Sequence, residues 1–568
     1  MPNYLNRLRL LSAIFVLSAL VLGGRLFHLQ VIGHEDYSDR ADRQYQRPSE
    51  PVPDRGTIFF TDRDGQRFSA AVMQTGFILA INPLRLEDPE ETYQQLSAVV
   101  ALDRENFFAK AAKPDDPYEE LAAQVSESEA ERIGGLRLPG VILQRTRWRV
   151  YPAGKLASHV IGLMAWEGDE FSGRYGLERQ FNQILERESG QSFIGFLADL
   201  LSELKGVVAG PGDDSEAADL VLTIEPQVSQ TLEAELVVVL ENYQAPVAGG
   251  IIMDPQTGEI LAMAALPNFD PGNKISDIAV LPNPLVESVF EMGSIVKPLT
   301  MAAALDAGVV TASSTYTDLG YVSIDNRRIE NYDGKGRGLA TMQDVLSFSL
   351  NTGAVFAMQQ LGPESLRHYF ESYGLGSETD IDLPGELAGL TENLSSGREV
   401  EYATASFGQG FAVTPIAITR ALAVLANGGR LVTPHVVKSL ERSNTGLSEK
   451  VQFPAAEQIL DPATSREITR MLVEVVDTQL AGGKVKQANY QVAAKTGTAQ
   501  LADPAGGYYA DQYLHSFFGY LPASQPRFII FLYLLKPQGV RYSSETLTTP
   551  FVNLSKFLIN YYQLPPDR

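Results

Sequence analysis

The chain has no cysteine. Disulfides, thiolate metal sites and a cysteine nucleophile are thereby excluded. Histidine is nearly as scarce, with six residues at 28, 34, 159, 368, 435 and 515, and no pair has the i, i+3 or i, i+4 spacing of a helical zinc site. Imidazole chemistry is therefore a poor basis for function. Positive charge is also in deficit: 46 Lys+Arg against 69 Asp+Glu leave a net charge of −23, which argues against a nucleic-acid binder with a cationic face. Apolar residues are plentiful. With 44% hydrophobic and 20% charged residues, the 568-residue chain can fill the cores of roughly two to four domains, and wholesale disorder is excluded.

One apolar stretch is long. Arg7 and Arg9 precede Leu10 to Gly24, then come Arg25 and the largely apolar Leu26 to Ile32. Residues 10–32 would make about 35 Å of helix, enough to cross a bilayer core, with Arg25 snorkelling or facing a partner helix. We expect one uncleaved anchor there, with residues 1–9 in the cytoplasm and the rest of the chain outside, because the basic flank precedes the span. Residues 33–54 read as a juxtamembrane linker ending in Pro51-Val52-Pro53, and 55–206 as a first folded region of mixed pattern. The run VVAGPGDDSEAAD at 207–219 marks a boundary, and 220–568 forms a second, larger domain. Within it we expect a strand at 220–224, a helix at 226–242, a hairpin at 247–253 and 259–266, and a helix-rich middle from about 285 to 480. Strands at 492–500, 515–521 and 527–535 follow, and a helix at 549–562 closes the chain.

Three short motifs in this second domain carry chemistry. Ser294-Ile295-Val296-Lys297 opens an apolar helical run that ends at Gly308. Serine and lysine at i and i+3 share a face, so the amine can reach the hydroxyl, and first-turn N–H groups point where an oxyanion would develop. Ser349-Leu350-Asn351 follows 55 residues after Ser294, at the end of a helical stretch. Lys495-Thr496-Gly497-Thr498 follows 201 residues after Ser294, on a strand. Each alone is as well explained by a cap, a turn or a solvated lysine, and Ser202-Glu203-Leu204-Lys205 repeats the first pattern on a charged stretch as a decoy. Their order and placement together are what matter.

Together they resemble the three signatures of penicillin-recognising serine enzymes. Along nearly its whole length the chain resembles a class B penicillin-binding protein, a peptidoglycan D,D-transpeptidase. Arg55-Gly56-Thr57-Ile58 with Asp62 to Gly65, Tyr151-Pro152, His159 to Gly162 and Tyr175 to Glu178 resemble boxes of that family's non-catalytic pedestal. Asp254-Pro255 with Thr257 to Met263, Phe407 to Gly410, Thr414-Pro415 and Asn427 to Gly429 resemble segments of its catalytic domain. Met292 stands where the family often has proline and Ala494 where it often has glycine; neither change removes a reactive group.

The resemblance implies a mixed α+β fold: a serine β-lactamase-like transpeptidase domain with a central antiparallel five-stranded sheet flanked by helices. An extended pedestal of the dimerisation type and one N-terminal membrane helix would precede it. It also implies that Ser294 attacks the D-Ala-D-Ala end of a stem peptide, with a neutral Lys297 as base and Ser349 and Asn351 relaying the proton and holding Lys297 and the substrate amide. Lys495, Thr496, Gly497 and Thr498 would receive the substrate carboxylate, and the N–H groups of Ser294 and Thr498 would form the oxyanion hole. No cofactor or metal is implied. The implied partners are stem peptides on lipid II-derived nascent glycan, β-lactams as covalent inhibitors, a SEDS-type glycan polymerase with other divisome proteins, and the inner membrane, on which a single-pass protein would display its catalytic domain outside. No nucleic acid is implied.

The rival readings are a serine β-lactamase, a D,D-carboxypeptidase and a non-catalytic β-lactam sensor or scaffold. Between Asn351 and Lys495 there is no Glu-x-x-x-Asn, the spacing of the deacylating glutamate in class A β-lactamases. The intact Ser294, Lys297, Asn351 and Lys495 weigh against a scaffold. Within class B, the run Val289 to Pro298 looks septal rather than elongation-type.

Overall fold

The computed structural model describes residues 54–113, 116–168, 170–187, 218–442, 448–483 and 485–568. The expected anchor at 10–32, its flanks, the Ser202 to Lys205 repeat and nearly all of the expected 207–219 boundary lie outside these. Among the described residues, no helix is long and apolar enough to cross a membrane.

The described chain forms two compact units, one with Met73–Trp148 and one with Arg55–Val72 and Arg149–Arg568. In the smaller, helices Pro89–Ser97, Arg104–Ala111 and Glu127–Leu136 accompany the strand Glu119–Val125, residues 141–148 of the strand Val141–Val150 and residues 73–81 of the strand Arg67–Ile81, with which Glu119–Val125 pairs. Side chains of Asp88, Asp103 and Ser126 cap the three helices by accepting from first-turn N–H groups. Leu79, Ile81, Leu96, Phe107, Val125, Ala130 and Ile133 form its core.

The larger unit takes in residues 55–72 and 149–187, which were expected with the pedestal. Strand pairing binds them to residues 218–442, and a buried ion pair ties the two stretches to each other. Strand Ile58–Thr61 pairs in parallel with Ala218–Leu222, which pairs antiparallel with Val437–Arg442. The buried Glu178 carboxylate accepts from Arg55 Nε at 2.6 Å and Arg149 Nε at 2.7 Å, a paired arrangement that buried charge requires.

The remaining elements build one layered body. Helix α1 (Pro226–Asn242) leads into β1 (Val247–Met253) and β2 (Ile260–Leu266). Helix α2 (Lys297–Asp306), helix α3 (Asn351–Leu361) and helix α4 (Pro462–Thr478) belong to the helical middle. Strands β3 (Ala493–Ala502), β4 (Tyr508–Leu521) and β5 (Phe528–Leu535) follow, then helix α5 (Thr548–Tyr561). The strands join antiparallel in the order β2-β1-β5-β4-β3.

Alternation decides the layering. On β5, Ile529, Phe531 and Tyr533 enter one core with Ile295, Leu299 and Met471 of the helical side. Phe528, Ile530, Leu532 and Leu534 enter the opposite core with Leu232 of α1 and Leu554 of α5. A strand buried on both faces needs an unbroken apolar run, as β5 has. β3 lies at the sheet's edge.

The middle is less helical than expected. Four short strands, Thr315–Asp318, Tyr321–Ile324, Arg327–Glu330 and Gly338–Thr341, form two small antiparallel pairs ahead of α3. Each is only four residues long and partly exposed, so no sustained apolar period marks it.

Candidate active site

Ser294 does not lie in the helix itself. It occupies a 3-10 turn, Gly293–Ile295, and α2 begins at Lys297. Pro298 is tolerated because first-turn N–H groups lack helical partners. Main chain presses this turn from two sides. Gly293 N donates to Gly408 O at 3.0 Å, and Ser516 Oγ, from β4, donates to Met292 O at 2.8 Å. A Cβ on Gly408 would lie 2.1 Å from Gly293 O. A Cβ on Gly497 would lie 2.3 Å from Ser516 Oγ and 2.8 Å from Met292 O. Glycine at both positions lets β3 and the 407–410 loop close on the serine turn.

Ser349 lies between the helix Met342–Ser347 and α3, with φ at 55°, a left-handed conformation that costs a serine about 1–3 kcal/mol. The conformation brings both its carbonyl and its hydroxyl to Lys297, whose Nζ is 2.6 Å from Ser349 O and 3.1 Å from Ser349 Oγ. The same Nζ is 3.0 Å from Ser294 Oγ. From the sheet edge, Lys495 Nζ reaches Ser349 Oγ at 3.0 Å and Thr496 O at 3.0 Å. Ser294, Lys297, Ser349 and Lys495 thus form one unbroken polar chain.

Both lysines are buried, at 1% and 4% exposure. Burial pushes Lys297 well below the ordinary lysine range, and the charge of Lys495 pushes the same way. Burial brings Lys495 down to about 7. A neutral amine beside a serine hydroxyl can take its proton; an ammonium cannot.

The other expected residues are placed as follows. Asn351 starts α3, and its Nδ2 donates to Glu330 O at 2.7 Å rather than to Lys297. Thr496 and Thr498 alternate with the buried Lys495 and Gly497 along β3 and are half-buried. Thr498 Oγ1 accepts from Ser543 N at 3.1 Å. Being an edge strand among the described residues, β3 has a side with no sheet neighbour among them, along which an extended peptide can add. His515, the cross-strand partner of Thr498, has both ring nitrogens engaged, with Thr546 Oγ1 at 2.9 Å and Arg541 O at 3.0 Å.

Two contributors went unread in the sequence. Ser516 is the lone serine of β4, among Leu514, Phe517 and Phe518; a buried hydroxyl there demands a partner, and that was the available signal. Glu291 accepts from Gly410 N at 3.0 Å and Tyr508 OH at 3.0 Å, tying the serine turn to the 407–410 loop and to the tip of the β3–β4 hairpin. Nothing local in the sequence marks that contact.

A helical layer on a five-stranded antiparallel sheet, with a serine in reach of a buried lysine, defines a serine acyl-transfer site of the active-site-serine penicillin-recognising kind. Residues 248–554 match the penicillin binding protein transpeptidase domain, and residues 50–199 the penicillin-binding protein dimerisation domain. The chain belongs to the penicillin-binding proteins and carries their transpeptidase domain. It is 31% identical to stage V sporulation protein D of Bacillus subtilis, covering 97% of this chain and 85% of that one. To the peptidoglycan D,D-transpeptidase FtsI of Escherichia coli K12 it is 28% identical, covering 96% and 90%. Among solved structures, penicillin binding protein 3 from Mycobacterium tuberculosis, crystallised with aztreonam, shares the fold with a TM-score of 0.68 at 23% identity, over 91% of this chain and 98% of that one. Penicillin binding protein 2X from Streptococcus thermophilus shares it with a TM-score of 0.74 at 20% identity, over 91% and 81%.

Proposed function

We propose that this protein cross-links peptidoglycan as a D,D-transpeptidase through an acyl-enzyme on Ser294. The observation that carries the proposal is the run from Ser294 Oγ to Lys297 Nζ (3.0 Å), on to Ser349 Oγ (3.1 Å) and to Lys495 Nζ (3.0 Å). Neutral Lys297 takes the Ser294 proton as Oγ attacks the penultimate D-Ala carbonyl. The C–N bond to the terminal D-alanine then breaks, and Lys297 returns the proton to the leaving amine. An amine of a neighbouring stem peptide attacks the ester, its surplus proton goes to Ser294 Oγ by way of Lys297, and the cross-link is made. Lys495 in its charged form, with Thr496 and Thr498, receives the substrate carboxylate. Gly497 keeps β3 close, Ser349 relays charge between the two lysines, and Asn351 borders the substrate amide. The N–H groups of Ser294 and Thr498 form the oxyanion hole, where losing one donor typically costs about 10²–10³ in rate.

Relatives named as D,D-transpeptidases support this reading, as do neighbours crystallised with aztreonam or ampicillin. The reading includes a single-pass anchor at 10–32, a pedestal over 55–206, a transpeptidase domain over 220–568 outside the inner membrane, a SEDS-type polymerase as partner, and a septal role. β-Lactams imitate the dipeptide and acylate the same serine.

Peptide mapping after benzylpenicillin treatment tests the site: the adduct is expected on Ser294, and an adduct on another residue overturns it. Incubation with stem-peptide substrates is expected to yield D-alanine and cross-linked dimers; hydrolysed monomer alone would point to a carboxypeptidase. Depletion is expected to give filaments with blocked septa, whereas rounded cells would indicate elongation.

A further inference from the structure

Beside the acyl-transfer chain lies a second buried polar cluster that the reaction as derived does not use. Asp318, 2% exposed, closes the first of the four short strands. Its carboxylate is bonded through neutral donors: Gly320 N at 2.9 Å, Arg337 N at 2.9 Å, Asn331 Nδ2 at 3.0 and 3.1 Å, and Thr352 Oγ1 at 2.9 Å. Four further contacts close the cluster. Thr352 N donates to Asn331 Oδ1 at 3.2 Å, Thr352 Oγ1 also lies 3.2 Å from that oxygen, Asn331 Nδ2 also donates to Lys335 O at 3.1 Å, and Tyr316 OH is 3.0 Å from Thr352 Oγ1. With the threonine proton given to Asp318, the tyrosine is the donor to Thr352.

Burying a carboxylate is costly, and this many donors on one group are needed to offset it. What the cluster fixes is specific. Asn331 follows Glu330 in sequence, and Thr352 follows Asn351. Glu330 O and Asn351 Nδ2 are themselves the two partners of a 2.7 Å hydrogen bond. Asp318 therefore holds the residue next to each partner. Thr352 is also three residues from Ser349, whose left-handed turn delivers its hydroxyl to both lysines.

We propose that Asp318 is a positioning residue for acyl transfer, setting the placement of Asn351 and Ser349 at the start of α3 through Asn331 and Thr352. This rests on the transpeptidase reading above. Both carboxylate oxygens of Asp318 accept hydrogen bonds, whereas an asparagine at 318 turns an NH₂ towards donors and must release part of the cluster.

The test is the second-order rate of Ser294 acylation by a fluorescent penicillin, with melting temperature recorded alongside. Asp318→Asn is expected to slow acylation by about 10- to 100-fold, the scale of a misplaced catalytic group. In an Asn351→Ala background the same substitution is expected to slow acylation by a smaller factor than it does alone, the remainder being its effect through Ser349, because coupled residues are not additive. Thr352→Ser is expected to keep the wild-type rate, and Thr352→Val to lose rate in the direction of Asp318→Asn. This pair gives a reading even if Asp318→Asn does not fold. An unchanged rate in Asp318→Asn overturns the assignment, as does a full repeat of the slowing in the Asn351→Ala background or equal rates for both Thr352 variants. A wild type with no Ser294 adduct overturns the reading of the site itself, and this assignment with it.

Discussion

Lys297 and Lys495 converge on a single hydroxyl, that of Ser349, with their nitrogens 3.1 and 3.0 Å from its oxygen. Two ammonium groups so close in a buried site repel, and the cheapest relief is for one to lose its proton. Burial and the charge of Lys495 both press Lys297 towards its neutral form, and Lys297 also touches Ser294, so it is the amine placed to act as base.

Replacing that amine should abolish the first chemical step. Lys297→Met is expected to reduce the acylation rate by at least about 10²–10⁴, the usual contribution of a positioned base. Lys297→Arg is expected not to rescue it, because a guanidinium stays charged at any working pH and cannot take the serine proton. Stopped-flow acylation by a chromogenic β-lactam reads both; near-wild-type rates in Lys297→Arg would exclude the base role.

The two lysines also predict a bell-shaped pH profile. The acid limb of kcat/KM reports protonation of Lys297, and the alkaline limb reports loss of the Lys495 proton, at about 7 in the free enzyme. A bound substrate carboxylate favours the ammonium form of Lys495, so the alkaline limb of kcat is expected at higher pH than that of kcat/KM. Steady-state acyl transfer from a thioester analogue of the stem peptide measures both limbs; coincident limbs would remove Lys495 from carboxylate binding.

Function at Lys495 works against stability. Its folded value of about 7 lies below an unfolded lysine's value of about 10.4. The unfolded chain therefore binds more protons across that interval. The resulting penalty is full below about pH 7, shrinks as pH rises towards about 10.4, and is gone above it. Lys495→Met is expected to melt above wild type at pH 6, with the gap narrowing towards pH 10, while losing carboxylate-dependent activity. A gap constant with pH would show that burial of this amine carries no charge penalty.

Gly497→Ala tests the closeness of β3 to the serine turn. Its Cβ would fall 2.3 Å from Ser516 Oγ and 2.8 Å from Met292 O. Overpacking of this kind costs about 1–3 kcal/mol and displaces the strand that carries Lys495. Lower denaturation midpoints together with slower acylation are expected. A variant as stable and as fast as wild type would show that the strand has slack.

The sequence revealed the sheet better than its edges, because strands buried on both faces must be continuously apolar. The reading at 527–535 corresponds to Phe528–Leu535 in the structure. β4 runs seven residues further towards its N-terminus than the reading from His515, because Tyr508 to Tyr513 is exposed or half-buried and carries no core pattern. The helix at 226–242 was legible to the residue from its proline start. In the site, spacing showed that Ser294 and Lys297 could meet. It could not show Ser349 in a left-handed turn, since serine has no special preference for one. Nor could it show Asn351 bonded to Glu330, a partner 21 positions earlier on a strand too short to be visible.

Gly408 and Gly497 pack main chain against main chain around the serine turn. Selection by antibiotics needs variation, and places that refuse every side chain supply none. Under the proposed function, tolerance to β-lactams would be recruited from half-buried positions beside the serine turn, Thr496 and Thr498 among them. Any hydroxyl altered there to evade the drug is then one the natural peptide also uses, so escape and growth draw on the same atoms.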